Sequence, residues 1–165
     1  MNTLTTTALI GAAFIGGTLF AGNRSQPPKT DTTERLHAEF ESVDKMSTFE
    51  RAIWIVESNG RHGAIFGDGG VSRGPLQCGR LAYADAVQYD PTLRDGSYED
   101  VDRIEYAVRV FRAYTDRYAT ERRLGRTPTN EDRARIWNGG PRGHLKRAAT
   151  EPYWQRVKSI MNGGA

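Results

Sequence analysis

Between Gly60 and Gly79 the chain carries seven glycines in 20 residues, "GRHGAIFGDGGVSRGPLQCG". Glycine gives up more backbone freedom on ordering than any other residue, so such a stretch does not sustain a helix. It predicts a small, irregular β-hairpin instead. Its arms are Ala64–Phe66 and Val71–Leu76, and its turn is Gly67-Asp68-Gly69-Gly70. The flanking segments read as helices, so the expected fold class is α+β and mostly α, with several helices around one small β element.

The helical signals are specific. Ser47-Thr48-Phe49-Glu50 has the S-x-x-E form of a capping box, and Phe49, Ile53 and Val56 follow at helical spacing. This predicts a first helix from about Thr48 to Glu57 or Ser58, ended by Asn59-Gly60. Leu81 to Gln88 reads as a short helix. Tyr98 to Leu124 reads as the longest, with Val101, Ile104, Val108, Phe111 and Tyr118 on one stripe and Gly125 as its stop. Thr129 is expected to cap a helix through Asp132, Ala134 and Ile136, and "NGGPRG" (138–143) to form a loop. Thr150, with Pro152 in the first turn, is expected to open a last helix that turns Tyr153, Trp154, Val157 and Ile160 inward.

With 165 residues, 38% of them hydrophobic, the chain suits one domain plus a short appendage. Sixteen aromatics (3 Trp, 7 Tyr, 6 Phe) and a net charge of only +3 exclude a disordered composition. A single cysteine, Cys78, excludes an internal disulfide, so packing alone holds the fold together. The pI of about 9.2 favours an anionic partner such as nucleic acid, acidic lipid or bacterial wall polymer, but a plain soluble surface with a few extra arginines accounts for it too, and +3 is too small to choose.

The appendage is Leu4 to Ala21, 18 residues without a charge, near the lower limit for a membrane-spanning helix. No Lys or Arg precedes it, and Leu19-Phe20-Ala21 is a poor cleavage site. An uncleaved anchor, a cleaved signal and a buried helix are the three readings. Arg24 and Lys29 would place the downstream part on the cytoplasmic side by the positive-inside rule. The expected organisation is a hydrophobic segment over 1–22, a polar tether over 23–45 with a short helix near Glu34–Phe40, and a domain over 46–165. The attached domain is then membrane-anchored, or secreted if the segment is removed.

Two carboxylates are the candidates for catalytic chemistry. Glu57 shares a helix face with Phe49 and Ile53. At the rim of a buried face it is desolvated, its pKa rises, and it stays protonated as a general acid requires. The plain alternative is a helix-end Glu that swings into water. Asp68, 11 residues on and among glycines, is expected to be solvated and ionised. A protonated and an ionised carboxylate facing each other is the division of labour in glycoside hydrolysis. Asp-Gly is equally an ordinary turn pair. In "WNGG", Trp137 offers a flat face for a sugar ring, Asn138 an amide, and Gly139 and Gly140 close approach to the backbone. A helix C-cap explains the same residues. His37, His62 and His144 lack metal-ligand spacing, and no metal or cofactor is expected. Cys78 reads as a partly buried spectator rather than a nucleophile. The arginines from Arg103 to Arg126 read as a solvated helix face.

Four segments in order, "ESNG", "GDGGVSRGPLQ", "RTPTNEDRARIWNGGPRG" and "EPYWQRVKSI", resemble the invertebrate-type lysozyme (destabilase) family over about residues 50 to 160. The first two and "WNGG" also resemble soluble lytic transglycosylases. The resemblance implies a lysozyme-like fold and cleavage of the β-1,4 bond between N-acetylmuramic acid and N-acetylglucosamine in peptidoglycan. It implies Glu57 as general acid and Asp68 as second carboxylate. Ser72, Gly74, Gln77, Trp137, Asn138 and Gly139 are the implied substrate contacts. The animal family is cysteine-rich and usually has Cys where this chain has Arg73, which points to a disulfide-free bacterial or phage member. The implied partners are peptidoglycan strands and a membrane, with no nucleic acid, for a monomer. A muramidase, a lytic transglycosylase forming anhydro-muropeptides, and a non-catalytic wall-binding or virion structural module remain as readings. Nothing in the chain supplies a separate nucleophile for the isopeptidase activity credited to some animal members.

Overall fold

The computed structural model describes residues 43–163, together with Glu34, His37 and Glu41. The apolar segment 1–22 lies outside the described residues. Glu34, His37, Glu41, Val43 and Asp44 are helical, in and just beyond the expected tether helix. Among the described residues no helix is long and apolar enough to cross a membrane.

The described residues form six α-helices and a three-stranded antiparallel sheet. Helix α1 spans Thr48–Ser58, and strands β1 (Phe66–Gly67), β2 (Ser72–Arg73) and β3 (Cys78–Gly79) follow it. Then come α2 (Arg80–Tyr89), α3 (Ile104–Tyr118), α4 (Glu121–Leu124), α5 (Asn130–Gly139) and α6 (Arg147–Met161). Short 3-10 turns at Pro91–Asp95, Tyr98–Asp102 and Gly143–Leu145 join them.

Helix α1 begins as its sequence demands. Ser47 Oγ accepts from Glu50 N, and the Glu50 carboxylate accepts from Ser47 N at 2.8 Å. Glu50 is itself buried and takes a forked bond from Arg112 of α3, at 2.6 and 3.0 Å. Burial pushes this carboxyl up, but Arg112 and Ser47 outweigh burial and hold it below the ordinary range. Asn59 closes the helix in the left-handed region, at φ 56°.

The glycine-rich stretch forms a sheet with one strand more than the expected hairpin. β1 pairs with β2 (Phe66 opposite Arg73), and β2 pairs with β3 (Arg73 opposite Cys78). Asp68, Gly69 and Gly70 all take positive φ in the β1–β2 turn, which is why glycines fill it. Gly74, at φ 79°, lies so close to the Val101 carbonyl that any Cβ would strike it. Arg73 donates to both Asp102 oxygens at 2.8 and 2.7 Å. The sheet is thereby fixed to the turn that precedes α3.

The expected single helix over Tyr98–Leu124 is three pieces. A Ser97–Asp100 capping box starts a 3-10 turn, Arg103 is extended at φ −89° and ψ 127°, and Thr120 caps α4 afresh. Apolar residues recur at helical spacing in the sequence through Val101, Ile104 and Val108, which hides the break at Arg103. The expected single stripe also divides, because α3 is central. Ile104, Val108 and Phe111 pack with Phe49 and Ile53 of α1 and with Tyr153 and Val157 of α6. Tyr106, Val110 and Tyr114 pack with Leu93, Tyr98 and Val101 in a second cluster.

Helix α6 begins at Arg147, before the expected Thr150, and Pro152 lies inside it. Thr150 is not its cap. Its buried hydroxyl donates to Lys146 O and accepts from Arg135 of α5 at 2.8 Å. The "NGGPRG" segment is likewise less of a loop than expected: α5 runs through Gly139, and a 3-10 turn starts at Gly143.

Candidate active site

Glu57 stands in the last turn of α1, on the face that Phe49 and Ile53 bury against α6. Its carboxyl is partly buried, and Oε1 accepts from the Tyr153 hydroxyl at 2.7 Å. Burial drives its pKa up from the ordinary 4.5 to about 7. The Tyr153 bond and the Arg156 charge act in the opposite direction, and the charge of Asp68 adds to the rise. Tyr153 is pushed well above the ordinary tyrosine value by its own burial and by Glu57, so it remains a hydrogen-bond donor.

Glu57 opens on two cavities. One, of about 320 Å³, brings it together with Asp68, Ser72, Gln77, Trp137 and Asn138. The other, of about 730 Å³, lies between the end of α1 and α6. Val56, Glu57 and Arg156 belong to both, so the carboxyl sits where the two meet.

The smaller cavity has a fixed wall and a free tip. Gln77, at φ 49°, is locked: Nε2 donates to Gly74 O at 2.8 Å and to Ile65 O at 3.2 Å, and Oε1 accepts from buried Ser72 at 3.0 Å. Asp68 is exposed on its turn, and its carboxylate makes no hydrogen bond among the described residues. Asn138 is exposed at the end of α5.

Two expected substrate contacts, Gly74 and Gly139, are not in the cavity wall. Gly74 is there for the backbone: it packs on Val101, and its carbonyl accepts from Gln77. Gly139 lies against Thr150, and its carbonyl accepts from Lys146 at 2.8 Å. Trp137 lines the cavity but is not a free stacking platform. Its ring packs edge-on against Phe111 and Tyr114, with centroids at 5.1 and 5.6 Å, and its N–H donates to Leu76 O at 3.2 Å.

The sequence does not mark Tyr153, which bonds Glu57, or Arg156, which lines both cavities. Tyr153 is expected to be core, which it is. A buried tyrosine hydroxyl needs a partner, and that rule is the available signal. Arg156, three residues on, shares its helix face. Cys78 is buried and its thiol is pushed up to about 12, so it is inert as a nucleophile.

The arginines expected on a solvated face are exposed or half-buried, and most of them also meet a carboxylate, as in Arg109–Asp95 at 2.9 Å and Arg126–Asp132 at 2.6 Å. The chain matches no protein-family model and no curated protein.

Proposed function

We propose that this protein is a lysozyme-like glycosidase that cuts the β-1,4 bond between N-acetylmuramic acid and N-acetylglucosamine, with Glu57 as general acid. One observation carries the reading: a carboxyl with a pKa of about 7 sits where two cavities meet. A polymer threaded through both would present a glycosidic oxygen to Glu57, with sugars on either side. The four segments that resemble the invertebrate-type lysozymes include Glu57, Asp68, Gln77 and Asn138, all of them in this cleft.

In the proposed reaction Glu57 gives its proton to the leaving glycosidic oxygen as the C1–O bond breaks. Tyr153 holds the carboxyl in place and stabilises the carboxylate that results. Asp68, across the smaller cavity, supports the positive charge that develops on the sugar, or activates water. Gln77 and Ser72, bonded to each other, form a rigid polar wall. Through the segment over residues 1–22 the domain would act at a cell envelope or virion membrane.

The exposure of Asp68, without a hydrogen bond to hold it, favours a second reading. In a lytic transglycosylase Glu57 acts first as acid and then as base. The muramic acid 6-hydroxyl attacks C1, its proton passes to Glu57, and no water is consumed. Digesting purified peptidoglycan with the full chain and with E57Q, then weighing the muropeptides, tests both. Free reducing ends mean hydrolysis, and products one water lighter mean transglycosylation. No release by the parent refutes both and leaves a wall-binding or structural module, whereas equal release by E57Q removes Glu57 as the acid in either reaction.

A further inference from the structure

The larger cavity contains two arginines that lack what most arginines of this fold have. Arg73 is paired with Asp102, Arg112 with Glu50 and Arg135 with Glu131. Arg61 and Arg156, both in the cavity wall, have no carboxylate within 4 Å among the described residues. Glu57 is the only acid among the described lining residues, and its proton leaves it neutral over much of the pH range below 7.

The cations are also held ready. The carbonyl of Arg61 accepts from Trp54 Nε1 at 2.8 Å and from Ser58 Oγ at 3.3 Å, which clamps its loop to α1. Its own Nε donates to Ser58 O at 2.9 Å, leaving the outer guanidinium nitrogens available. Arg156 projects from α6 beside the Tyr153 ring, 5.9 Å from its centroid. Around them, Ile55, Val56 and Ile160 give an apolar surface, and Asn59 and Ser159 give neutral polar groups. A sugar face and its hydroxyls suit those walls. The two guanidiniums call for an anion, and planar carboxylates fit their forked donors.

We infer that this cavity is a cationic subsite that takes a carboxylate-bearing substituent of the glycan, held by Arg61 and Arg156. The inference rests on the glycosidase reading of Glu57 and extends it to substrate choice. It separates peptidoglycan from neutral chitin-type strands, which share the same backbone linkage but carry no carboxylate. The carboxylate can come from a stem peptide or, on strands stripped of peptide, from the lactyl group of muramic acid.

The test measures binding by the full-length E57Q protein, in detergent, to three soluble oligosaccharides of equal length. These are peptide-bearing strands, peptide-free strands with free lactyl groups, and chitin oligosaccharide. The expected result is tighter binding of one or both carboxylate-bearing ligands than of chitin, weakening with salt. Substituting R61Q or R156Q on this background reduces that preference by about tenfold each, whereas R61K and R156K keep part of it. Preference for peptide-bearing strands alone assigns the stem peptide, and preference for peptide-free strands assigns the lactyl group. Equal affinity for all three ligands, no binding of any, or a preference unchanged when R61Q and R156Q are combined overturns the inference. Unaltered thermal melting of the variants excludes misfolding, since both side chains are exposed. A parent protein that cleaves none of the three, while E57Q keeps the arginine-dependent preference, refutes the glycosidase reading and leaves the subsite standing.

Discussion

Replacing Glu57 with glutamine is expected to stabilise the fold, and only above a defined pH. Folding raises the Glu57 pKa from 4.5 to about 7, so between these values the folded state binds more protons than the unfolded one. Stability therefore falls as pH rises through this window. Below 4.5 the carboxyl is protonated in both states and has no such effect. Above 7 the folded protein holds an ionised, largely desolvated carboxylate, a penalty of about 3 kcal/mol at about 1.4 kcal/mol per pH unit. Solvent in the adjoining cavities reduces this, so about 2 kcal/mol is the working figure. The amide introduced by E57Q keeps an oxygen that can accept from Tyr153, so the 2.7 Å hydrogen bond is not the quantity that changes. Urea denaturation of parent and E57Q at about pH 4, 5.5, 7 and 8.5 reads the difference directly. The two proteins should be close in stability at about pH 4, with E57Q ahead by about 2 kcal/mol at about pH 8.5. Parallel profiles, or a parent more stable than E57Q at the alkaline end, would show that Glu57 is solvated and would remove the basis for its role as an acid.

The same carboxyl should give glycan cleavage an alkaline limb, with kcat/KM falling through about pH 7. Tyr153→Phe and Arg156→Gln each remove a group that lowers the Glu57 pKa, so each should move that limb to higher pH, and an unmoved limb assigns it to another group. Gly74→Ala must place a Cβ on the Val101 carbonyl at positive φ, and should lose about 3 kcal/mol or more in denaturation. Gly67→Ala must displace Gln77 Oε1 and crowd Ser72 Oγ, breaking the hydrogen bonds that fix Gln77, so it should lower both melting temperature and turnover; an unchanged melt would show that Gln77 is free to move. Trp137→Ala should destabilise by about 3 kcal/mol, since the ring joins both hydrophobic clusters; weakened glycan binding in a protein that melts normally would restore the stacking role.

Much of this protein is legible without its structure. The capping box at Ser47 and Glu50, the stop at Asn59, the non-helical glycine stretch and the cap at Thr129 rest on short-range chemistry, and all four are found where the residues put them. Glu57 and Asp68 can be singled out because residue type and helix face are sequence properties. Where they stand relative to each other is not. That α1, the sheet, α5 and α6 converge on one cleft depends on which faces of α3 are covered. Apolar periodicity marks a buried face without naming what buries it. The division of the long helix is hidden for a related reason: Val101 and Ile104 stand at helical spacing in the sequence on either side of the break at Arg103, yet they enter different clusters.

Tertiary contact alone decided the electrostatics. A carboxylate at the end of a helix is ordinary until a buried tyrosine 96 residues later donates to it and burial lifts its pKa to about 7. Likewise, nothing local distinguishes Arg61 and Arg156 from the other arginines. The fold supplies carboxylates to most of the others and none to these two among the described residues; Arg94, Arg122, Arg123 and Arg142 lack one as well, but only Arg61 and Arg156 share the wall of the larger cavity. Local backbone preferences act over a few residues and are therefore written in the sequence. Desolvation and charge pairing depend on what lies across a few ångströms of space, and only the fold sets that.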